Sequence, residues 1–236
     1  ILKKMSETHN FRIIAVTIDE GIPGYRDEAL EIVKSFCSKL DVEFRTYSYK
    51  ELYDVTLSES LELRDEEKTT SCSICGIFRR RALDHAAEEL GANVIATGHN
   101  LDDSLQTFLI NTLSGDSNKI GWMSPGSDSK QIRKIKPLAE IYESEIVFYA
   151  FTNNLPFQTE PCPHMNEGIR TEIREFLNSI EDQHSGIKNN MYRSIIKISD
   201  IMKDSSSKEK RVCPNCGNEC SGKICAVCNM ITDLKK

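Results

Sequence analysis

The chain has 236 residues, 39% hydrophobic and 28% charged, a globular composition with room for one sizeable core plus a small module. No run of about 18 apolar residues occurs, which excludes a helical membrane span, and no signal-peptide pattern is present. Net charge is −6 but uneven: from Gln183 onward ten Lys/Arg face five Asp/Glu, so the rest of the chain carries −11 and the tail has the basic balance of a nucleic-acid contact.

Ile1–Met5 reads as the last turn of a helix, and sequence is expected upstream of it. The β-branched run 11–18 reads as a buried strand that turns at Asp19-Glu20-Gly21. Apolar residues at Leu30, Val33, Phe36, Cys37 and Leu40 make 27–40 a helix, and 42–49 a second strand. The acidic stretch 53–70 leads, as helix or loop, into Cys72-Ser-Ile-Cys75-Gly, which opens a helix ended by Gly91. A short strand at 93–97 follows. Helix 101–113 should face inward with Leu105, Phe108, Leu109, Thr112 and Leu113. The Gly/Ser/Pro-rich stretch 121–130 reads as a loop and 132–135 as a strand. Helices are expected at 138–153, at 167–180 (Ile169, Ile173, Phe176, Leu177, Ile180 inward) and at 187–202 (Met191, Ile195, Ile198, Met202 inward). Alternating strands and helices argue for an α/β fold with a parallel sheet, whose ligands bind at the carboxyl ends of strands. The expected segmentation is a catalytic domain over 1–182, helix and linker over 183–211 with a polar linker at 204–210, and a cysteine module over 212–236.

Nine cysteines, with three Cys-x-x-Cys pairs and no secretion signal, favour metal binding over disulfides. Cys213-x2-Cys216-x8-Cys225-x2-Cys228 is a zinc-ribbon pattern: two knuckles each offer two thiolates to one tetrahedral Zn²⁺. So short a stretch is expected to need its metal to fold. Cys220 is a surplus thiol there, and Cys37 reads as core. Cys72, Cys75 and the distant Cys162, stiffened between Pro161 and Pro163, admit three functional readings. They are redox thiols at a helix start, zinc ligands completed by His164, or three thiolates of an iron–sulfur cluster with one open iron. Unrelated free cysteines are the plain alternative.

Gly98-His99-Asn100-Leu101-Asp102-Asp103 marks a turn from strand to helix. Gly98 suits a sharp turn and close approach to a ligand. Asp102 and Asp103 either cap the helix or hold Mg²⁺ on a nucleotide polyphosphate. His99 is a structural residue or a base. Arg79, one turn after Cys75 in Arg79-Arg80-Arg81, is placed to meet phosphate beside the metal.

Together these pieces resemble the TtuA/NcsA group of tRNA 2-thiolation enzymes in the PP-loop ATP pyrophosphatase superfamily. The matching stretches are Val16-Thr-Ile-Asp-Glu-Gly-Ile22 with Gly24-Tyr25-Arg26, Cys72-Ser-Ile-Cys75-Gly with Arg79-Arg80, Ala96-Thr-Gly-His-Asn-Leu-Asp-Asp103, Glu160-Pro-Cys-Pro163 and the four-cysteine ribbon. The resemblance implies a parallel-sheet adenine nucleotide α-hydrolase (PP-loop ATPase) domain with a C-terminal zinc ribbon. It implies a 4Fe–4S cluster on Cys72, Cys75 and Cys162 whose open iron binds sulfide. It implies ATP with Mg²⁺, with Ile18 holding adenosine, Gly98 approaching the nucleotide and Asp103 at the Mg²⁺–phosphate site. The family adenylates the C2 oxygen of a tRNA uridine; sulfur then attacks C2 and AMP leaves. Arg79 falls where some members carry a catalytic lysine, and Arg keeps that charge without being able to act as a base. The implied partners are tRNA and a sulfur donor, either a ubiquitin-like thiocarboxylate carrier or free sulfide. A cytoplasmic homodimer is expected. The family's Ser-Gly-Gly-x-Asp-Ser loop and N-terminal zinc module are not in this sequence and are expected upstream of Ile1. Competing readings are another PP-loop enzyme (a cytidine thiolase or a lysidine synthetase) and a non-catalytic zinc-ribbon RNA-binding protein.

Overall fold

The structure is a computed structural model that describes residues 1–67, 69–121, 123, 132–203 and 211–235. Most of the expected loop at 121–130 and the whole linker at 204–210 lie outside the described residues. The chain divides into two compact units: 1–86 with 155–164 and 212–236, and 87–154 with 165–211.

In the first unit, α1 (Leu2–Ser6) precedes β1 (Ile14–Asp19), α2 (Tyr25–Lys39) and β2 (Glu43–Ser48). β1 and β2 pair in parallel from Ile14 opposite Glu43 to Asp19 opposite Ser48. β1 ends where the Asp19 carboxylate accepts the Gly21 N–H at 2.8 Å. Gly21 has φ +70°, and a Cβ there would lie 2.6 Å from the Thr56 methyl, so only glycine fits this turn. Two short helices follow, α3 (Tyr49–Tyr53) and α4 (Leu57–Leu63). Ser48 with Glu51, and Thr56 with Glu59, cap them by reciprocal side-chain bonds. This resolves the stretch that the sequence leaves between helix and loop.

α5 (Ser71–Glu89) contains both central-pair cysteines in its first turns. Ile74, Phe78 and Ala82, each four residues on, are fully buried and form its inner stripe. Tyr49 meets Phe78 edge-on at 5.4 Å and Tyr53 stacks on it at 4.7 Å. The two phenols donate to the carbonyls of Cys75 (2.8 Å) and Phe78 (2.9 Å), so α5 is gripped by apolar and polar contacts together.

In the second unit, β3 (Val94–Ala96) leads into α6 (Leu101–Leu113), then α7 (Ser117–Ile120), β4 (Arg133–Ile135), α8 (Glu143–Thr152), α9 (Arg170–Gln183) and α10 (Ile187–Lys203). β3 pairs in parallel with β4, Val94 opposite Arg133. The core joins Leu101, Leu105, Ala139, Ile173, Leu177, Tyr192 and Ile195. Three helical stripes are narrower than expected: Leu113, Ile169, Phe176 and Ile198 are exposed. The helix expected over 138–153 starts only at Glu143. Before it, Leu138 bridges Asn100, and the Leu101 N–H donates to the Ile141 carbonyl (3.0 Å), which holds 138–141 in a non-helical course.

A buried ion pair ties this unit together. The Lys188 ammonium reaches Asp102 at 2.5 Å and Asn178 at 2.6 Å, and lies over the Tyr142 ring. The other Asp102 oxygen accepts the Glu143 N–H at 2.7 Å. One carboxylate therefore joins the starts of α6, α8 and α10. The last elements, β5 (Arg211–Val212), β6 (Glu219–Cys220) and α11 (Ala226–Leu234), form the cysteine-rich end.

Replacing Lys188 with Met leaves the buried Asp102 carboxylate unpaired. The variant should lose about 3 kcal/mol of stability in a urea titration; a loss below about 1 kcal/mol would show that the pair does not carry the unit.

Candidate active site and metal centres

In the first unit a buried carboxylate organises the end of β1. Glu20 is 1% exposed and lies between two guanidinium groups, Arg26 at 2.9 Å and Arg79 at 2.5 Å. Arg26 also donates to the Ile18 carbonyl at 2.7 Å, and the Glu20 carbonyl accepts the Leu57 N–H at 2.7 Å. The expected nucleotide residue Ile18 is thus buried at the strand end with its carbonyl engaged. Arg79 stands one helical turn after Cys75. Burial would lower its pKa, but the Glu20 carboxylate and the Cys75 sulfur keep it firmly charged. About half of its side chain faces solvent, so it presents a fixed cation at an accessible surface.

Two of the three central cysteines, Cys75 and Cys162, border this pair. Cys72 is exposed, while Cys75 and Cys162 are half-buried against the first unit's core. Burial pushes the Cys75 thiol up, and Arg79 and the Tyr49 hydroxyl pull it back. Cys162 arrives on the stretch 155–164, which Gln158 pins to the Tyr25 carbonyl at 2.7 Å. Tyr25 has its pKa raised by burial first and by Cys162 next, and it also feels Arg26, Glu20 and Arg79. Cys75 and Cys162 thus border one Tyr25–Glu20–Arg79 neighbourhood. Among the described residues these three cysteines do not form a single-ion cluster, with or without His164. Thiolates are the donors that iron–sulfur clusters take, so in its chemistry this donor set fits such a group.

The C-terminal quartet differs in spacing. The sulfurs of Cys213, Cys216, Cys225 and Cys228 all lie within 4.8 Å of one another. A single tetrahedral ion at about 2.3 Å from each sulfur holds its thiolates about 3.8 Å apart, so these residues fit one ion. N–H groups of Cys225, Asn215 and Cys216 aimed at Cys213 lower its thiol to about 6. Burial and the neighbouring sulfurs push Cys228 up. Cys220 points away, its thiol donating to the Gly222 carbonyl at 3.2 Å. This end of the chain also has an apolar anchor that the sequence hides. Cys213, Cys225, Val227 and Leu234 belong to the same core as Ile18, Tyr49, Ile74 and Phe78.

In the second unit, Asn100 and Asp103 cap α6 reciprocally: Asn100 accepts the Asp103 N–H (2.9 Å) and Asp103 accepts the Asn100 N–H (3.1 Å). Asp102 is taken by Lys188, so of the two carboxylates only Asp103 is disposed toward the turn. His99 bonds the Thr97 hydroxyl at 2.8 Å. Gly98 does not need glycine for its backbone: its φ is not left-handed, and a Cβ there would meet nothing within 4 Å. The exposed open space that close approach to a ligand needs is present beside it. Sequence reasoning placed Glu20 and Arg26 in matching stretches but not as ion-pair partners, and it missed Tyr49 and Lys188. The partners Arg79 for Glu20, Cys75 for Tyr49 and Asp102 for Lys188 lie far along the chain, and no spacing rule announces them.

Residues 1–181 match the PP-loop domain family, to which the chain therefore belongs. Within it, the chain groups with the tRNA 2-thiolation proteins. It is 32% identical to the "tRNA 2-thiolation protein NcsA" of Haloferax volcanii, over 94% of this chain and 73% of that protein. It is 33% identical to the "Cytoplasmic tRNA 2-thiolation protein 1" of Lodderomyces elongisporus, over 100% of this chain and 70% of that one. The structure of the U34-tRNA thiolase NcsA from Methanococcus maripaludis with its [4Fe-4S] cluster superposes with a TM-score of 0.80 at 27% identity, over 99% of this chain and 74% of that one.

Replacing Glu20 with Ala leaves two guanidinium groups without their shared partner. The variant should unfold with about 3 kcal/mol less stability. An unchanged urea midpoint would show that the arginines are held by other means.

Proposed function

We propose that this chain is the catalytic part of a tRNA uridine 2-sulfurtransferase that uses ATP to activate the uridine C2 oxygen. The observation that carries the reading is the gathering of Cys75, Cys162 and Arg79 around one buried carboxylate, in a PP-loop protein whose relatives are tRNA 2-thiolation proteins. The C2 oxygen attacks the α-phosphorus of ATP, and pyrophosphate leaves. Sulfur then attacks C2, and the oxygen departs with AMP. Adenylation matters because an amide-like oxygen is otherwise a poor leaving group.

Cys72, Cys75 and Cys162 are the ligands for a 4Fe–4S cluster, which when bound supplies an open iron that orients the incoming sulfur. Arg79, fixed by Glu20, contributes a permanent positive charge near the thiolates and the activated phosphate. It is not a base, so a proton that leaves the sulfur goes to another group. Ile18 contributes apolar surface for adenine. Gly98 admits the nucleotide closely, and Asp103 serves its Mg²⁺. The ribbon quartet holds a structural Zn²⁺ that secures α11 against the first unit's core. The basic tail supports contact with the tRNA backbone. The sulfur donor is free sulfide or a thiocarboxylate carrier, and the working form is a cytoplasmic homodimer.

The test is a thiolation assay with anaerobically purified full-length protein, tRNA, MgATP and sulfide, read as 2-thiouridine by nucleoside mass spectrometry. Wild type should form 2-thiouridine with matching AMP release. Cys162→Ala should abolish it, and Asp103→Asn should slow it by at least about 100-fold. Product formed without ATP, or undiminished in Cys162→Ala, would contradict the reading.

A further inference from the structure

Lys136 follows directly on β4, whose last residue is Ile135. The Thr97 N–H donates to the Ile135 carbonyl at 3.1 Å, so the carboxyl ends of β3 and β4 stay in register. The Lys136 carbonyl accepts the Ala139 N–H at 3.1 Å, and Pro137 stiffens the turn between them. The side chain therefore leaves the strand end from a fixed point.

That side chain is half-buried, and burial lowers its pKa against the opposing pull of Asp103. Among the described residues its ammonium makes no hydrogen bond and no ion pair closer than this influence of Asp103. Asp103 itself already spends one oxygen on the Asn100 N–H. An ammonium has three donors, and partial removal from water is costly unless anionic acceptors replace the water. Lys188 shows what a satisfied lysine in the same unit looks like, with two oxygen partners within 2.6 Å. Lys136 has its cation and its fixed exit at the strand end, but among the described residues not the acceptors. Strand carboxyl ends are where α/β folds take their ligands.

We propose that Lys136 is a phosphate ligand, its ammonium binding a polyphosphate oxygen of the nucleotide beside Asp103 at the carboxyl ends of β3 and β4. This rests on the ATP-dependent reading above. The division of labour is electrostatic: Asp103 faces the Mg²⁺ and Lys136 the phosphate oxygens, so that cation and anion of MgATP each meet an opposite charge. Arg79 belongs to a different element and unit, and the two cations are separate contributions.

The experiment is MgATP binding to the full-length protein by calorimetry, for wild type, Lys136→Met, Lys136→Arg and the surface control Lys119→Met, whose exposed side chain pairs with its neighbour Asp116. Lys136→Met should weaken binding at least tenfold, Lys136→Arg should recover part of the loss, and Lys119→Met should match wild type. In parallel, acylation of wild-type Lys136 by an amine-reactive ester, read by peptide mass spectrometry, should be suppressed by MgATP. Wild type that binds no MgATP would overturn the ATP-dependent reading, and this inference with it. Wild type that binds MgATP while Lys136 stays equally reactive, or a folded Lys136→Met that binds as wild type does, would overturn this inference alone. If Lys136→Met does not fold, the protection measured on wild type decides.

Discussion

A carboxylate buried between two guanidinium groups is the constraint on which the first unit depends. Burying Glu20 costs several kcal/mol of desolvation, which is offset only while both arginines hold their geometry. That requirement links three stretches of chain: the end of β1, the start of α2 through Arg26, and the third turn of α5 through Arg79. Because Cys75 is one turn from Arg79, the same interaction fixes a thiol beside a permanent cation. The aromatic grip of Tyr49 and Tyr53 on α5 sets its position from the other side. Chemistry at this end of the unit is then a matter of placement, with little left for side chains to reorganise.

The second unit solves a similar problem with the opposite sign. Lys188 is a cation buried behind α6, and Asp102 is its counter-charge. Holding Asp102 there leaves its neighbour Asp103 at the helix start, where the cap with Asn100 sets its carboxylate. Two adjacent aspartates thus have separate duties, one inside the fold and one at the turn. The two cysteine sets divide in the same way. The quartet's sulfurs are close enough for one ion, while the central three are not among the groups that could hold a single ion in the described residues.

Much of this was legible in the sequence where the signal is local. The four strands and their parallel sense, the helix opened by Cys72 and Cys75, the bounds of α6 and the ribbon spacing all follow from periodicity and short motifs, whereas the split into two separate pairs does not. Signals that need long-range contact were not legible. Glu20 and Arg79 are 59 positions apart, and Asp102 and Lys188 are 86 apart, so nothing local pairs them. Apolar stripes were read too wide at Leu113, Phe176 and Ile198, because a stripe shows which side can be buried without showing how much is covered. The start of α8 was misplaced because backbone bonds from Leu101 and Asn100 hold 138–141 outside the helix. The cysteine-rich end was expected to lean on metal alone, yet Val227 and Leu234 give it a share of a common core.

The central claim is that two cysteine sets in one chain serve two different metal centres. The most direct measurement is iron, acid-labile sulfide and zinc per chain in anaerobically purified full-length protein, for wild type and for Cys162→Ala. The account predicts about four irons and four sulfides in wild type. Both should be lost in Cys162→Ala, while zinc held by the Cys213–Cys228 quartet is unchanged. Zinc alone, insensitive to Cys162→Ala, would contradict it and return Cys72, Cys75 and Cys162 to a structural or redox role.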